Sequence, residues 1–253
     1  MEGFGASTYG DGFAEVYDRW YPDVTDTAAC VERLLELAGP ASTVLELGIG
    51  TGRIALPLAD RGATVTGIDA SSEMLARLAD KPGADAIDVV LGDMADLDAA
   101  LGPVPGGPSF TLAFAAYNTL FNLPSAAAQR ACVQAVGARL VPGGRLVVEG
   151  FVPADEPAGR RDDVSVSRIG ADELVLSATL HDRDAQTITG QHVQISEAGI
   201  RLRPWLVRYL LPAQLDEIAG SAGFDLEHRW SDWERSPFDD TSPVHVSVYR
   251  RAP

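Results

Sequence analysis

The stretch Glu46-Leu47-Gly48-Ile49-Gly50-Thr51-Gly52-Arg53 decides how this chain is read. It closes Thr43–Leu47, a short apolar run that reads as a buried strand, and opens Arg53–Arg61, which reads as a helix. Glycines at such a junction let the backbone turn sharply and let a ligand approach with no Cβ in the way. The helix start behind them presents free N–H groups. A dinucleotide fold places Gly-x-Gly-x-x-Gly here, with the pyrophosphate on the helix. This chain has Gly-x-Gly-x-Gly, with an acid two residues before the first glycine. A buried carboxylate at Glu46 repels a pyrophosphate and suits an amine-bearing or cationic ligand.

Working outward, Ala63–Ile68 reads as a second strand with Asp69 at its tip, where an acid accepts hydrogen bonds from both hydroxyls of a ribose. A third strand, Ala86–Leu91, ends in Gly92-Asp93-Met94, an acid and an apolar residue suited to an adenine amino group and ring. Helix patterns at 25–38, 71–79 and 125–140 alternate with strands that continue through 110–115 and 145–149. Ser71 or Ser72 is a plausible N-cap, Pro57 belongs near a first turn or a kink, and Pro142-Gly143-Gly144 ends the third helix. This alternation predicts an α/β fold with a doubly wound, mostly parallel sheet. After Phe151 the texture changes. A polar loop at 152–163 leads to four strand-like segments, 164–169, 173–182, 186–196 and 200–211, which read as an antiparallel β insert. A helix at 212–222 and strands at 224–233 and 244–250 follow. Three parts are expected: lid helices and cofactor-binding core at 1–151, a cap at 152–211, and 212–253 completing the core sheet.

The 253 residues suit one domain, or one domain with a sizeable insertion. Twenty Lys+Arg against 36 Asp+Glu give −16, a field that repels phosphate backbones and anionic lipid surfaces. Nucleic acid and membrane partners are therefore not expected, and no apolar run reaches 18 residues. Lys81, the only lysine, sits in a Lys-Pro-Gly turn and is discounted for Schiff-base chemistry. Cys30 and Cys132 lie in apolar helical patterns outside any metal spacing, which points to core packing and a reducing, cytoplasmic setting. No metal site is expected.

Three motifs in order on the expected elements, Glu46-x-Gly48-x-Gly50-x-Gly52, Asp69 and Gly92-Asp93-Met94, resemble those of the class I S-adenosylmethionine-dependent methyltransferases of small molecules. The resemblance covers about residues 40–150 and the last two strands. It implies a Rossmann-like, seven-stranded sheet of order 3-2-1-4-5-7-6 with the last strand antiparallel. It also implies S-adenosylmethionine as cofactor and S-adenosylhomocysteine as product. By that likeness Glu46, Gly48, Gly50, Thr51 and Gly52 lie near the methionyl part, and Asp69 holds the ribose. Asp93 takes the adenine amino group with Met94 beside the ring, while Ala70, Met74 and Ala115 complete the cofactor site. Phe13-Ala14-Glu15-Val16-Tyr17-Asp18-Arg19-Trp20-Tyr21 looks like a lid segment, from which Tyr17 or Tyr21 reaches the cofactor. The plan is similar to bacterial N,N-dimethyltransferases of nucleotide-linked amino sugars. Ala115–Phe121, however, lacks the histidine such enzymes can carry after the fourth strand, which argues against a sugar acceptor.

Methyl transfer is an in-line displacement in which positioning contributes ~7–11 kcal/mol. A base matters only where the nucleophile starts protonated. Candidates lie near the C-terminal strand ends. Glu149 is a possible base or orienting group, with a buried hydrogen-bonded acid as the equal alternative. His192 becomes the best base if its face of the insert points inward. Tyr117 and Phe121 wall a flat substrate or fill core, and Asn118 and Phe151 stand beside them. The expected function is methyl transfer to N, O or C of a small molecule of specialised metabolism, by a monomer or homodimer. A nucleotide-dependent oxidoreductase and a non-catalytic cofactor-binding module are the alternatives.

Overall fold

The computed structural model describes residues 1, 3–22, 24–40, 42–103, 109–154 and 159–252. Two short helices, α1 (Thr8–Phe13) and α2 (Tyr17–Trp20), precede α3 (Thr27–Ala38). Then β1 (Thr43–Leu47), α4 (Ala55–Asp60), β2 (Thr64–Asp69), α5 (Ser72–Ala79), β3 (Ile87–Leu91), α6 (Leu97–Leu101), β4 (Phe110–Ala115), α7 (Ala126–Arg139) and β5 (Leu140–Phe151) alternate. Four strands follow, β6 (Arg160–Ile169), β7 (Glu173–Asp182), β8 (Thr187–Ser196) and β9 (Gly199–Arg208), before α8 (Pro212–Ser221), β10 (Phe224–Trp230) and β11 (Val244–Arg251).

The main sheet has the order β3-β2-β1-β4-β5-β11-β10, with β11 antiparallel to both neighbours. Counted over its seven strands this is 3-2-1-4-5-7-6, as the resemblance implies. Helices cover both faces: α7 and α8 bury Cys132, Val136, Leu215 and Ile218 on one, and α3 and α4 bury Cys30, Leu34 and Leu58 on the other. Both cysteines are free and buried.

Local chemistry sets the boundaries. Asp26, Ser71 and Ser125 cap α3, α5 and α7 by accepting from Ala29, Met74 and Ala128 N–H. Pro57 is the third residue of α4, where an N–H has no partner inside the helix. β9 ends at Arg208 and β10 at Trp230, each three residues before its expected end, and the boundary after α7 differs more. Helix α7 passes directly into β5 at Leu140, and Pro142-Gly143-Gly144 lies inside that strand. Phe110 pairs Leu140 while Leu112 pairs Arg145, so the Pro-Gly-Gly turn bulges out of the ladder, with Gly143 at φ 76°.

The second sheet is the antiparallel meander β6-β7-β8-β9. β6 begins four residues before its expected start. Arg160, paired with Asp182, and Arg161 lack the apolar alternation that marks a strand. Residues 155–158 of the expected loop, Pro157 among them, lie outside the described residues. Phe13, Val16 and Trp20 of the N-terminal segment form a buried cluster with Met74 of α5 and Val175 of β7. That segment is thus wedged between the two sheets, both packed helix and roof.

Candidate active site

A cavity of about 540 Å³ opens beyond the C-terminal ends of β1 to β5, under the N-terminal segment and the inner face of the second sheet. Gly50 forms part of its floor. Its φ is 56°, and nothing but Gly48 O, at 4.0 Å, stands near the place a Cβ would occupy, so the cavity reaches bare backbone. Gly52 does a different job. A Cβ there would stand 2.4 Å from Leu78 Cδ1, so this glycine lets the loop pack on α5.

Asp69 is wired into the loop. One carboxylate oxygen accepts from Gly50 N–H at 2.8 Å and the other from Ser71 N–H at 2.9 Å. Burial pushes its carboxyl up, against the pull of those two N–H groups. Asp93 lines the same cavity, its Oδ1 accepting from Ala95 N–H at 2.8 Å, with Met94 beside it.

The roof is latched at two points. The Thr51 hydroxyl donates to Asp18 Oδ1 at 2.6 Å, and Lys81 Nζ reaches both Asp18 Oδ2 at 2.6 Å and Thr51 O at 2.9 Å. The Ser71 hydroxyl donates to Asp11 at 2.7 Å. Tyr9, Tyr17, Tyr21 and Tyr117 gather around the cavity, with ring centres 5.2 Å apart for Tyr17–Tyr21 and 6.3 Å for Tyr21–Tyr117. Burial raises all four phenols, Tyr17 to about 12, so they stay protonated at neutral pH.

After β4 the chain turns through two left-handed residues, Tyr117 at φ 45° and Asn118 at φ 64°. Such conformations cost energy in non-glycine residues and persist where surroundings hold them. Here Tyr117 N–H donates to Glu149 Oε2 at 2.6 Å, Asn118 N–H to Glu149 O at 3.1 Å, and Phe151 N–H to Asn118 Oδ1 at 2.7 Å. The second sheet closes the far side with Ile188, His192, Trp205 and Val207. The Trp205 indole N–H donates to His192 Nδ1 at 3.0 Å.

A family model described as a methyltransferase domain matches residues 44–144. The CcbJ methyltransferase from Streptomyces caelestis superimposes with a TM-score of 0.88 at 39% identity, covering 99% of this chain and 100% of that one. The chain belongs to the class I S-adenosylmethionine-dependent methyltransferases. The cypemycin N-terminal methyltransferase from a Streptomyces species is 31% identical over 147 residues, 58% of this chain and 57% of that relative, so the match spans little more than half its length. CalS10, an amino pentose methyltransferase from Micromonospora echinaspora solved with the cofactor bound, shares the fold at 20% identity and a TM-score of 0.60, over 99% of this chain and 93% of that one. S-adenosylmethionine is accordingly the cofactor, and bare backbone at Gly50 with acids at the tips of β2 and β3 fits it.

In this methyltransferase Tyr17, Tyr21, Gly48, Gly50, Asp69, Ala70, Met74, Asp93, Met94, Tyr117, Asn118, Phe151 and His192 all line the cavity. Six other expected residues stand behind its wall. Thr51 and Gly52 serve the latch and the packing on α5. Ala115 and Phe121 are core, the latter edge-on to Phe151 at 5.4 Å. Glu46 is buried with Oε2 unbonded, and burial holds its carboxyl well above the usual range despite nearby Arg53. Glu149 is buried too, spent on the Tyr117 turn and, at 3.3 Å, on the Thr25 hydroxyl. His192 does point inward, but its Nδ1 lone pair is taken by Trp205, so the neutral ring carries its proton on Nε2 and is a donor there.

Thr119, which follows the fourth strand with Tyr117 and Asn118, also lines the cavity, and the sequence reading assigned no site role to Tyr9, Asn122 or the apolar pair Ile188 and Val207. A signal for the insert's share existed. Residues 188, 190 and 192 share one face of β8, and Gly190 pairs Trp205. A Cβ at 190 would stand 2.2 Å from the indole, so that glycine seats Trp205 flat against β8.

Proposed function

We propose that the chain transfers a methyl group from S-adenosylmethionine to an amine nitrogen of a small molecule of specialised metabolism, in the cytoplasm. The bound cofactor supplies a methyl on a sulfonium, open to in-line attack by a lone pair. Gly50 gives the methionyl part a bare floor, and Gly48 makes room beside it for Thr119. The free lone pairs of Asp69 meet the ribose hydroxyls, Asp93 meets the adenine amino group, and Met94 covers the ring. Ala70 and Met74 floor the nucleoside, and Tyr17 and Tyr21 close over it from the roof. Residues 1–151 and 212–253 act as the cofactor-binding core, and 152–211 as the cap that shapes the acceptor pocket.

The choice of nitrogen rests on one observation: the cavity offers tyrosine faces and no free base. Its acids among the described residues are Asp69 and Asp93, both assigned to the cofactor, and His192 Nδ1 is occupied. A hydroxyl or carbon acid needs its proton removed; a neutral amine attacks with its own lone pair. Aromatic faces attract the cationic sulfonium and the ammonium product. Tyr117, Asn118 and Phe151 then line the acceptor side. The likeness to an N-terminal methyltransferase from Streptomyces and an amino pentose methyltransferase from Micromonospora supports an amine.

The test is incubation with radiolabelled S-adenosylmethionine and matched panels of small amines, phenols and active-methylene compounds. Label is expected on secondary or primary amines. Label confined to phenols or carbon would overturn the choice of nitrogen.

A further inference from the structure

The half of the cavity left for the acceptor is lined by uncharged side chains. Among the described residues no lysine or arginine lines the cavity, and its acids, Asp69 and Asp93, stand on the cofactor side. Two neutral hydrogen-bond donors remain. The first is Asn118, at the end of β4. Its Oδ1 is spent accepting from Phe151 N–H at 2.7 Å, and its Nδ2 has no partner among the described residues. The second is His192, on the far wall. Its Nδ1 accepts from the Trp205 indole at 3.0 Å, so the neutral ring holds its proton on Nε2, which also has no partner among the described residues. Neither nitrogen is sealed off, and both side chains line the cavity. Around them Ile188 and Val207 are apolar. Thr119 spends its hydroxyl on Ala116 O at 2.7 Å, and the Asn122 amide serves as donor or acceptor.

We infer that Asn118 and His192 select the acceptor: an amine whose apolar body carries an uncharged carbonyl oxygen, as in an amino amide, bound by these two N–H groups. This rests on the reading that an amine is methylated. Donors with nothing to accept call for lone pairs, and a carbonyl oxygen has two. A carboxylate has lone pairs as well, but burying its charge requires a paired cation, which the cavity wall does not supply. The faces of Tyr21 and Tyr117 repel an anion for the reason that they attract a sulfonium. A plain alkyl amine leaves both N–H groups desolvated and unpaired, and a site built to hydrogen-bond rejects such an analogue strongly. Both donors are set before the acceptor arrives. Asn118 is held by Phe151 on a backbone at φ 64°, and His192 by Trp205. Groups fixed beforehand lose little freedom on binding.

The experiment compares leucinamide with isopentylamine, which lacks the carbonyl, and with leucine, which carries a carboxylate in its place. Binding of each to the S-adenosylhomocysteine complex is measured calorimetrically, beside transfer of labelled methyl from S-adenosylmethionine. Leucinamide is expected to bind at least about tenfold more tightly than the other two and to take label on nitrogen. Asn118→Asp keeps an oxygen for Phe151 N–H and a residue type that tolerates a positive φ, but loses the donor. His192→Phe keeps a ring against Trp20 and loses the other donor. Each is expected to bring the preference for leucinamide over isopentylamine down to within about threefold, with S-adenosylmethionine binding verifying the fold. His192→Gln, which restores a donor, is expected to recover part of it. Isopentylamine or leucine bound as tightly as leucinamide, no binding of leucinamide, or a preference that survives both variants would overturn the inference. Label on phenols or carbon acids with every amine unlabelled would instead overturn the choice of nitrogen on which it rests.

Discussion

Trp205 and His192 stand on neighbouring strands of the second sheet, and the indole N–H of the first occupies Nδ1 of the second at 3.0 Å. The pairing works because Gly190 leaves room for the indole. It turns His192 from a base into a donor, and burial, then Arg203, hold its pKa below the usual value.

Gly190→Ala therefore displaces the indole and frees Nδ1. The acceptor KM is expected to rise about tenfold while cofactor affinity, measured calorimetrically, stays within about twofold. An equal loss in both would mean that the cap serves the cofactor as well.

Glu149 separates a positioning role from a catalytic one. Its carboxylate holds the N–H of left-handed Tyr117. Glu149→Gln keeps an acceptor oxygen and is expected to retain kcat within a few-fold. Loss of a general base would cost about 10²–10⁴-fold. Glu149→Ala strands a buried N–H and is expected to lose about 1–3 kcal/mol of stability by denaturant titration.

The latch of Lys81, Asp18 and Thr51 predicts a salt-sensitive roof. Both charged partners are partly exposed, so the ion pair is worth about 0–1 kcal/mol. Asp18→Asn is expected to weaken S-adenosylmethionine binding about three- to fivefold at low salt, a gap that narrows at high salt. An unchanged dissociation constant would sever the roof from cofactor retention.

His245 predicts an acid-labile fold. It is fully buried on β11, and burial lowers its pKa to about 4 from 6.5. A depressed histidine pKa means the unfolded chain takes the proton first. Stability from this group is complete above pH 6.5 and drains as pH falls toward 4, about 3 kcal/mol in all. His245→Gln is expected to flatten the denaturation-derived stability curve across that window. A curve of unchanged slope would assign the acid sensitivity elsewhere.

Much of this was legible in the sequence because local rules and the fold agree. Thr43–Leu47, Asp69 and the Ser71 cap fall where alternation, strand tips and hydroxyl caps place them. What the sequence hid was facing and partnership. Glu149 reads equally as a base and as a buried hydrogen-bonded acid until Tyr117 is seen to turn left-handed onto it. His192 is the best base if its face points inward, until its cross-strand neighbour is known. Thr51 reads as a cofactor contact until Asp18, distant in sequence, arrives to bond it. The β5 bulge was missed because Pro142-Gly143-Gly144 has the composition of a turn, and only pairing with Phe110 and Leu112 keeps it in the sheet.

The most direct measurement is calorimetric titration of wild type and Asp69→Ala with S-adenosylmethionine, S-adenosylhomocysteine and NAD. Wild type is expected to bind both sulfur ligands at one site per chain and to ignore NAD, and Asp69→Ala to lose both while keeping its fold by circular dichroism. Binding of NAD in their place, or unchanged affinity in Asp69→Ala, would contradict the assignment of this cavity.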